Sequence, residues 1–165
     1  MHTHLFPPSL AKLRLWGIDE LLTYHYLEAE FFRFSRTTPQ QYWALSKPDR
    51  PDAIWPALFV ENTPMSEAAG GIIVVLKAFG LPTDRPNLAK ARGFFRKQDV
   101  EEHALRVLKM AGVSSVVMTN DPLDSKEMSL WMKGAQRHPQ FQPALRLDRI
   151  LWEWSEPWDV LASLG

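Results

Sequence analysis

The chain has no cysteine. That excludes a disulfide framework and thiolate chemistry, and it permits a reducing compartment. It has no net charge either: nineteen Lys and Arg balance nineteen Asp and Glu, so no overall field draws it to nucleic acid or to an anionic membrane. Long hydrophobic runs are missing. The longest, Ile72 to Leu76, is far short of a membrane span, and no signal-peptide pattern opens the chain. Internal repeats and low-complexity tracts are absent as well. The expectation is a soluble, cytoplasmic protein.

What is present fits a packed core. At 165 residues the chain is one domain by length, or a piece of a larger one, and 45% of it is hydrophobic. Seven Trp and nine Phe imply large buried side chains. The first half reads as helix. Gly17 to Phe34 has the strongest periodicity, with Ile18, Leu22, His25, Ala29 and Phe32 on one apolar face. Leu21, Tyr24, Leu27 and Phe31 widen the apolar surface, leaving Asp19, Thr23, Tyr26, Glu30 and Arg33 as a narrow polar stripe. Such a helix is buried on more than one side, and its stripe faces solvent or a polar cavity. His25 reads as a packed, hydrogen-bonded core residue, and Tyr26 carries its hydroxyl on the stripe.

Further helices are expected over Gln40 to Leu45 and through Ile54, Trp55, Leu58 and Phe59, with Pro56 in the first turn of the latter. Ser66 reads as the N-cap of a helix that stops at Gly80. Asn87 to Lys97 is a basic helix, and Asp99-Val100-Glu101-Glu102 is a capping box opening a helix that ends at Gly112. Ser9 to Leu15 reads as a connector.

The grammar then changes. Val113 to Thr119 is β-branched and short, a buried strand of the parallel type. A polar loop, Asn120 to Ser125, leads into a helix over Ser125 to Met132, and Ala144 to Asp148 reads as a second strand. Arg149 to Trp154 and Pro157 to Leu164 read as helical. This is βα grammar, which favours a parallel sheet with its chemistry at the strand C-termini.

Candidate residues follow from that. His2 and His4 alternate in register, so on an extended backbone both imidazoles point the same way and form half a metal site. Taken alone, most such pairs near a chain terminus are flexible and bind nothing. Asp121 and Asp124 follow the strand directly. Their other reading is turn and capping chemistry, with Asp124 as N-cap of the helix from Ser125. Arg146, at the next strand tip, suits a surface ion pair or a bidentate carboxylate clamp.

His2-Thr3-His4, the segment Trp16 to Leu27 (WGIDELLTYHYL) and the segment Val116 to Asp124 (VVMTNDPLD) together resemble uronate (glucuronate) isomerases, of the amidohydrolase superfamily of metal-dependent (β/α)8 barrels. The His-x-His is shared by that whole superfamily. The His-Tyr-Leu segment and the Thr-x-Asp-Pro-x-Asp loop are much more specific. The resemblance runs over essentially the whole chain.

It implies aldose–ketose isomerisation of D-glucuronate to D-fructuronate, and of galacturonate to tagaturonate. It also implies an α/β, predominantly helical fold: part of a (β/α)8 barrel with a large helical insertion after the first strand. Residues 1–16 would end the first barrel strand, 17–112 form the insertion, and 113–165 form barrel units two and three. On this reading His2 and His4 hold a divalent metal, Zn²⁺ above all, Tyr26 serves proton transfer, and Arg146 suits the uronate carboxylate by chemistry and position. His25, Asp121 and Asp124 join the substrate contacts. The partner is a sugar acid, with no nucleic acid and no membrane, and a homo-oligomer is permitted.

The departure is one of length. A closed barrel needs eight strands and about 250 residues, so the expectation is an N-terminal portion with an incomplete metal site, inactive alone. Two other readings stay open: a metal-dependent hydrolase of the same superfamily, and a non-catalytic helical interaction module.

Overall fold

In the computed structural model, the residues described are 2–3, 7, 16–84, 86–119, 124–133, 138–144, 146, 151–152 and 162. The chain divides into two compact units, one formed by Leu15–Gln98 and the other by Met1–Arg14 with Asp99–Gly165. Among the described residues no helix is long and apolar enough to cross a membrane.

The first unit is helical: α1 (Ile18–Leu22), α2 (His25–Phe34), α3 (Pro39–Ala44), α4 (Arg50–Trp55), a π-helical turn (Pro56–Val60), α5 (Glu67–Ala78) and α6 (Ala89–Arg96). The single helix expected over Gly17 to Phe34 is thus two. Thr23 donates both its N–H and its hydroxyl to the Asp19 carbonyl, at 3.0 and 2.9 Å, a local bond that competes with helix continuation. Tyr24 then turns extended, at φ −67° and ψ 136°, to start α2.

The break resets the helical phase. The buried positions are Ile18 and Leu22 on α1, and Leu27 and Phe31 on α2. His25, expected on the apolar face, is exposed, as is Ala29. Uninterrupted periodicity across Thr23 put them on the wrong side.

Other boundaries follow their signals. Thr38 and Gln41 form a reciprocal capping box on α3. Ser66 Oγ accepts the Ala69 N–H at 3.0 Å and caps α5. At its far end Leu81 N–H reaches the Leu76 carbonyl (2.8 Å) and Gly80 N–H the Lys77 carbonyl (3.0 Å). This Schellman ending needs the left-handed φ of 65° that Gly80 adopts. α4 starts earlier than expected, at Arg50, so Pro51 lies in its first turn and Pro56 opens the π-helical turn that follows.

These elements enclose one large core. It contains Phe31, Tyr42, Ile54, Trp55, Leu58, Leu76 and Leu88, all at most 2% exposed. Trp55 stacks on Phe59 at 4.7 Å between ring centroids, with 12° between planes. Each such side chain contributes roughly 1.5–3 kcal/mol through burial.

The second unit holds β1 (His2–Thr3), α7 (Val100–Met110), β2 (Val116–Met118), α8 (Ser125–Met132) and β3 (Phe141–Pro143). Asp99 caps α7 through the N–H groups of Glu101 and Glu102, at 3.0 and 2.9 Å. The three strands are parallel in the order β1-β2-β3. Val116 and Met118 are buried with Leu108 and Phe141, against a half-buried Val113, whereas Val117 between them is exposed. This is the small parallel sheet of the expected βα grammar.

The last strand lies three residues earlier than the expected Ala144 to Asp148. Pro143 concealed it. Proline cannot donate to a ladder, but β3 is the outer strand of the described sheet, where proline is tolerated. Of the remaining expected elements, Ser9 to Leu15 falls outside the described residues. Arg149 to Trp154 and Pro157 to Leu164 are described only at Leu151, Trp152 and Ala162, which are helical.

Candidate active site

Because all three strands run the same way, their C-terminal ends share one edge of the sheet. Thr3, Met118 and Pro143 stand level in the register, and the residues that follow them in the chain are His4, Thr119 and Ala144. Parallel βα sheets carry their chemistry at that edge. His2 lies within β1, one step back, paired with Val117. Arg146 is exposed, three residues past the end of β3. Asp124 is half-buried at the start of α8, where its Oδ1 accepts the N–H groups of Lys126 and Glu127 at 2.9 and 3.1 Å. The capping role weighed for it is therefore present. His4 and Asp121 lie outside the described residues. Among the described residues no group of three or more His, Asp or Glu side chains is arranged to hold a metal ion.

Tyr26 and His25 belong to the helical unit. Tyr26 is 60% exposed at the first turn of α2. Its ring lies 4.2 Å from that of His25 and 5.3 Å from that of Tyr24, and His25 and Tyr24 are 4.3 Å apart. These three consecutive aromatic residues form one exposed cluster at the joint between α1 and α2. The rest of the polar stripe is divided: Asp19 and Glu30 are half-buried and bonded inside the unit, to Arg92 and to Ser66 respectively.

Arg92 is the polar centre of the helical unit that local sequence patterns do not reveal. Its Nε donates to both carboxylate oxygens of Asp19, at 2.8 and 3.1 Å. Nη1 donates to Asp52 at 2.9 Å, and Nη2 to the Pro48 carbonyl at 3.5 Å. Burial opposes the charged guanidinium, but the hydrogen bonds and charges of Asp52 and Asp19 outweigh it and raise its pKa above the ordinary arginine value. The partners lie 73 and 40 residues away in sequence, far beyond helical spacing rules. Beside it is a cleft of about 440 Å³, bordered by Trp16, Asp19, Asp49, Asp52 and Arg96.

A second polar contact joins α2 to α3. The Tyr42 hydroxyl donates to Glu28 Oε1 at 2.8 Å. Burial, then the hydrogen bond and charge of Glu28, push this phenol far above its usual range, while Arg50 pulls the other way. The Arg50 guanidinium sits over the rings of Trp43 and Tyr42, at 4.7 and 5.6 Å.

No family model matches the chain. No curated protein matches it either. Among solved structures, it superposes on the crystal structure of a uronate isomerase from Bacillus halodurans C-125 with a TM-score of 0.90 and 44% sequence identity. That match covers 100% of this chain and 39% of the enzyme's chain. From end to end, the 165 residues are thus similar in sequence and fold to 39% of a uronate isomerase.

Proposed function

We propose that this chain is part of a uronate isomerase, interconverting D-glucuronate and D-fructuronate, and galacturonate and tagaturonate. The observation that carries the reading is the match over the whole chain at a TM-score of 0.90 and 44% identity. The parallel sheet supports it, because in sequence His4, Asp124 and Arg146 come after the C-terminal ends of β1, β2 and β3.

In the proposed enzyme, a member of the amidohydrolase superfamily acting in cytoplasmic carbohydrate metabolism, His2 and His4 hold a divalent cation. Two imidazoles two residues apart in the sequence are a donor set that suits Zn²⁺. Once bound, such an ion polarises the sugar's oxygens. The isomerisation moves a proton from C2 to C1, while the oxygen on C1 gains a proton and that on C2 loses one, so the formula is unchanged. Tyr26 exchanges one of these protons. Arg146 pairs with the uronate carboxylate through its planar fork of donors. Asp121, Asp124 and His25 orient the hydroxyls.

The test is ketose formation from D-glucuronate and from D-galacturonate by the whole enzyme carrying these residues. Turnover is expected, and is lost in His4→Ala and Tyr26→Phe. Absence of isomerisation with both uronates, in metal-loaded enzyme, would overturn the assignment.

A further inference from the structure

α1 has only five residues. A helix so short has little stability of its own, and packing and side-chain contacts set its orientation. Two anchors are visible. Ile18 and Leu22 are buried in the helical core, and the Asp19 carboxylate is gripped through both oxygens by Arg92. The same guanidinium reaches Asp52 on α4 and the Pro48 carbonyl just before it. One side chain from α6 therefore fixes α1 against the start of α4. Lysine, with a single nitrogen, lacks the planar fork needed to hold these acceptors together.

The grip is continuous with the aromatic cluster. The carbonyl of Asp19 receives the Thr23 N–H and hydroxyl, which ends α1. Tyr24 follows at once, and its carbonyl accepts the N–H groups of Leu27 and Glu28 at 2.8 and 3.1 Å, opening α2. Tyr24, His25 and Tyr26 are thus the residues on which α1 hands over to α2. Their rings are exposed, so their direction is set by the backbone at the joint between α1 and α2, which both helices fix, and not by packing of the rings themselves.

We infer that Arg92 is a positioning residue for Tyr26, acting through the Asp19 carboxylate and the α1 backbone to set the geometry of the Tyr24–His25–Tyr26 cluster. The consequence for turnover rests on the function proposed above; the positioning itself does not. An active-site group displaced by about 1 Å can cost on the order of 10²-fold in rate. Disruption of the clamp is therefore expected to lower kcat while KM stays nearly unchanged.

The test uses ¹³C labelling of the three tyrosines in the 165-residue chain. Tyr42, buried in the core and bonded to Glu28, is the internal control. In Arg92→Met and in Asp19→Asn, the Tyr24 and Tyr26 ring signals are expected to lose their mutual ring-current shifts while those of Tyr42 stay in place. Arg92→Lys is expected to fall between these variants and the parent. Unchanged Tyr24 and Tyr26 signals in both variants would overturn the inference. So would equal movement of all three tyrosines, which marks general loosening. Should Arg92→Met fail to fold, Asp19→Asn is read by the same criteria. The spectra require no turnover. If Tyr26→Phe leaves isomerisation intact, the proposed role of Tyr26 fails while the positioning result stands.

Discussion

The two units bury their described apolar side chains in different ways. Among the described residues, seventeen buried side chains form the core of the helical unit, against four in the unit that carries the strands. The helical unit buries Phe31, Tyr42, Trp55, Phe59 and Phe95 and caps two of its helices with Thr38 and Ser66. The strand unit buries one face of a three-stranded sheet, through Val116, Met118 and Phe141, and exposes Val117. Local stability follows buried apolar area. The candidate metal-binding and carboxylate-binding residues belong to the strand unit, and the helical unit carries Tyr26 on its surface.

The largest expected effect breaks the helical unit alone. Trp55→Ala removes a side chain that is 2% exposed and stacked on Phe59, and should cost about 3–5 kcal/mol. Urea denaturation with amide hydrogen exchange checks it. Protection should fall in α2, α4 and α5 and persist in α7 and β2. Equal loss in both units would erase the contrast between them.

A smaller effect sharpens the same contrast. Tyr42→Phe keeps the ring but removes the donor to Glu28, which leaves a half-buried carboxylate short of a partner and should cost about 1–2 kcal/mol. Thermal melting of this variant beside Glu28→Gln measures it. If the hydroxyl contributes through Glu28, the double variant loses less than the sum of the two.

The smallest effect lies in the strand unit. His103 is buried on α7, and burial followed by the charge of Arg106 lowers its pKa below the ordinary 6.5. The folded chain therefore binds fewer protons than the unfolded chain just below pH 6.5. The contribution of His103 is complete above that pH and is lost as the pH falls through the interval between the two values. His103→Gln should flatten this part of the stability-versus-pH curve. An unchanged slope would show that His103 does not govern it.

Much of the fold was legible because its signals are local. Ser66, Asp99 and Asp124 announce helix starts by their own hydrogen bonds, and Gly80 announces a stop by its left-handed φ. The parallel strand at Val116 was legible from its β-branched run. The break at Thr23 was not, since Leu27 and Phe31 continue an apolar pattern and a hydroxyl-to-carbonyl bond leaves no mark in periodicity. β3 was missed because Pro143 reads as a strand breaker until the position of β3 in the sheet is known.

The site divides the same way. The sequence placed His2 on a strand and Asp124 at a strand-to-helix turn, and the structure has both there. It did not reveal Arg92, whose partners are assembled by tertiary packing. It also put His25 in the core because the phase reset was invisible.

The proposed metal site is tested by a Zn²⁺ titration of the chain, followed through the imidazole signals of its five histidines. Saturable shifts are expected at His2 and His4, none at His25, His103 or His138, and loss of the His2 response in His4→Ala. Zinc that leaves His2 and His4 unmoved, or binds at the other three instead, would contradict the proposed site.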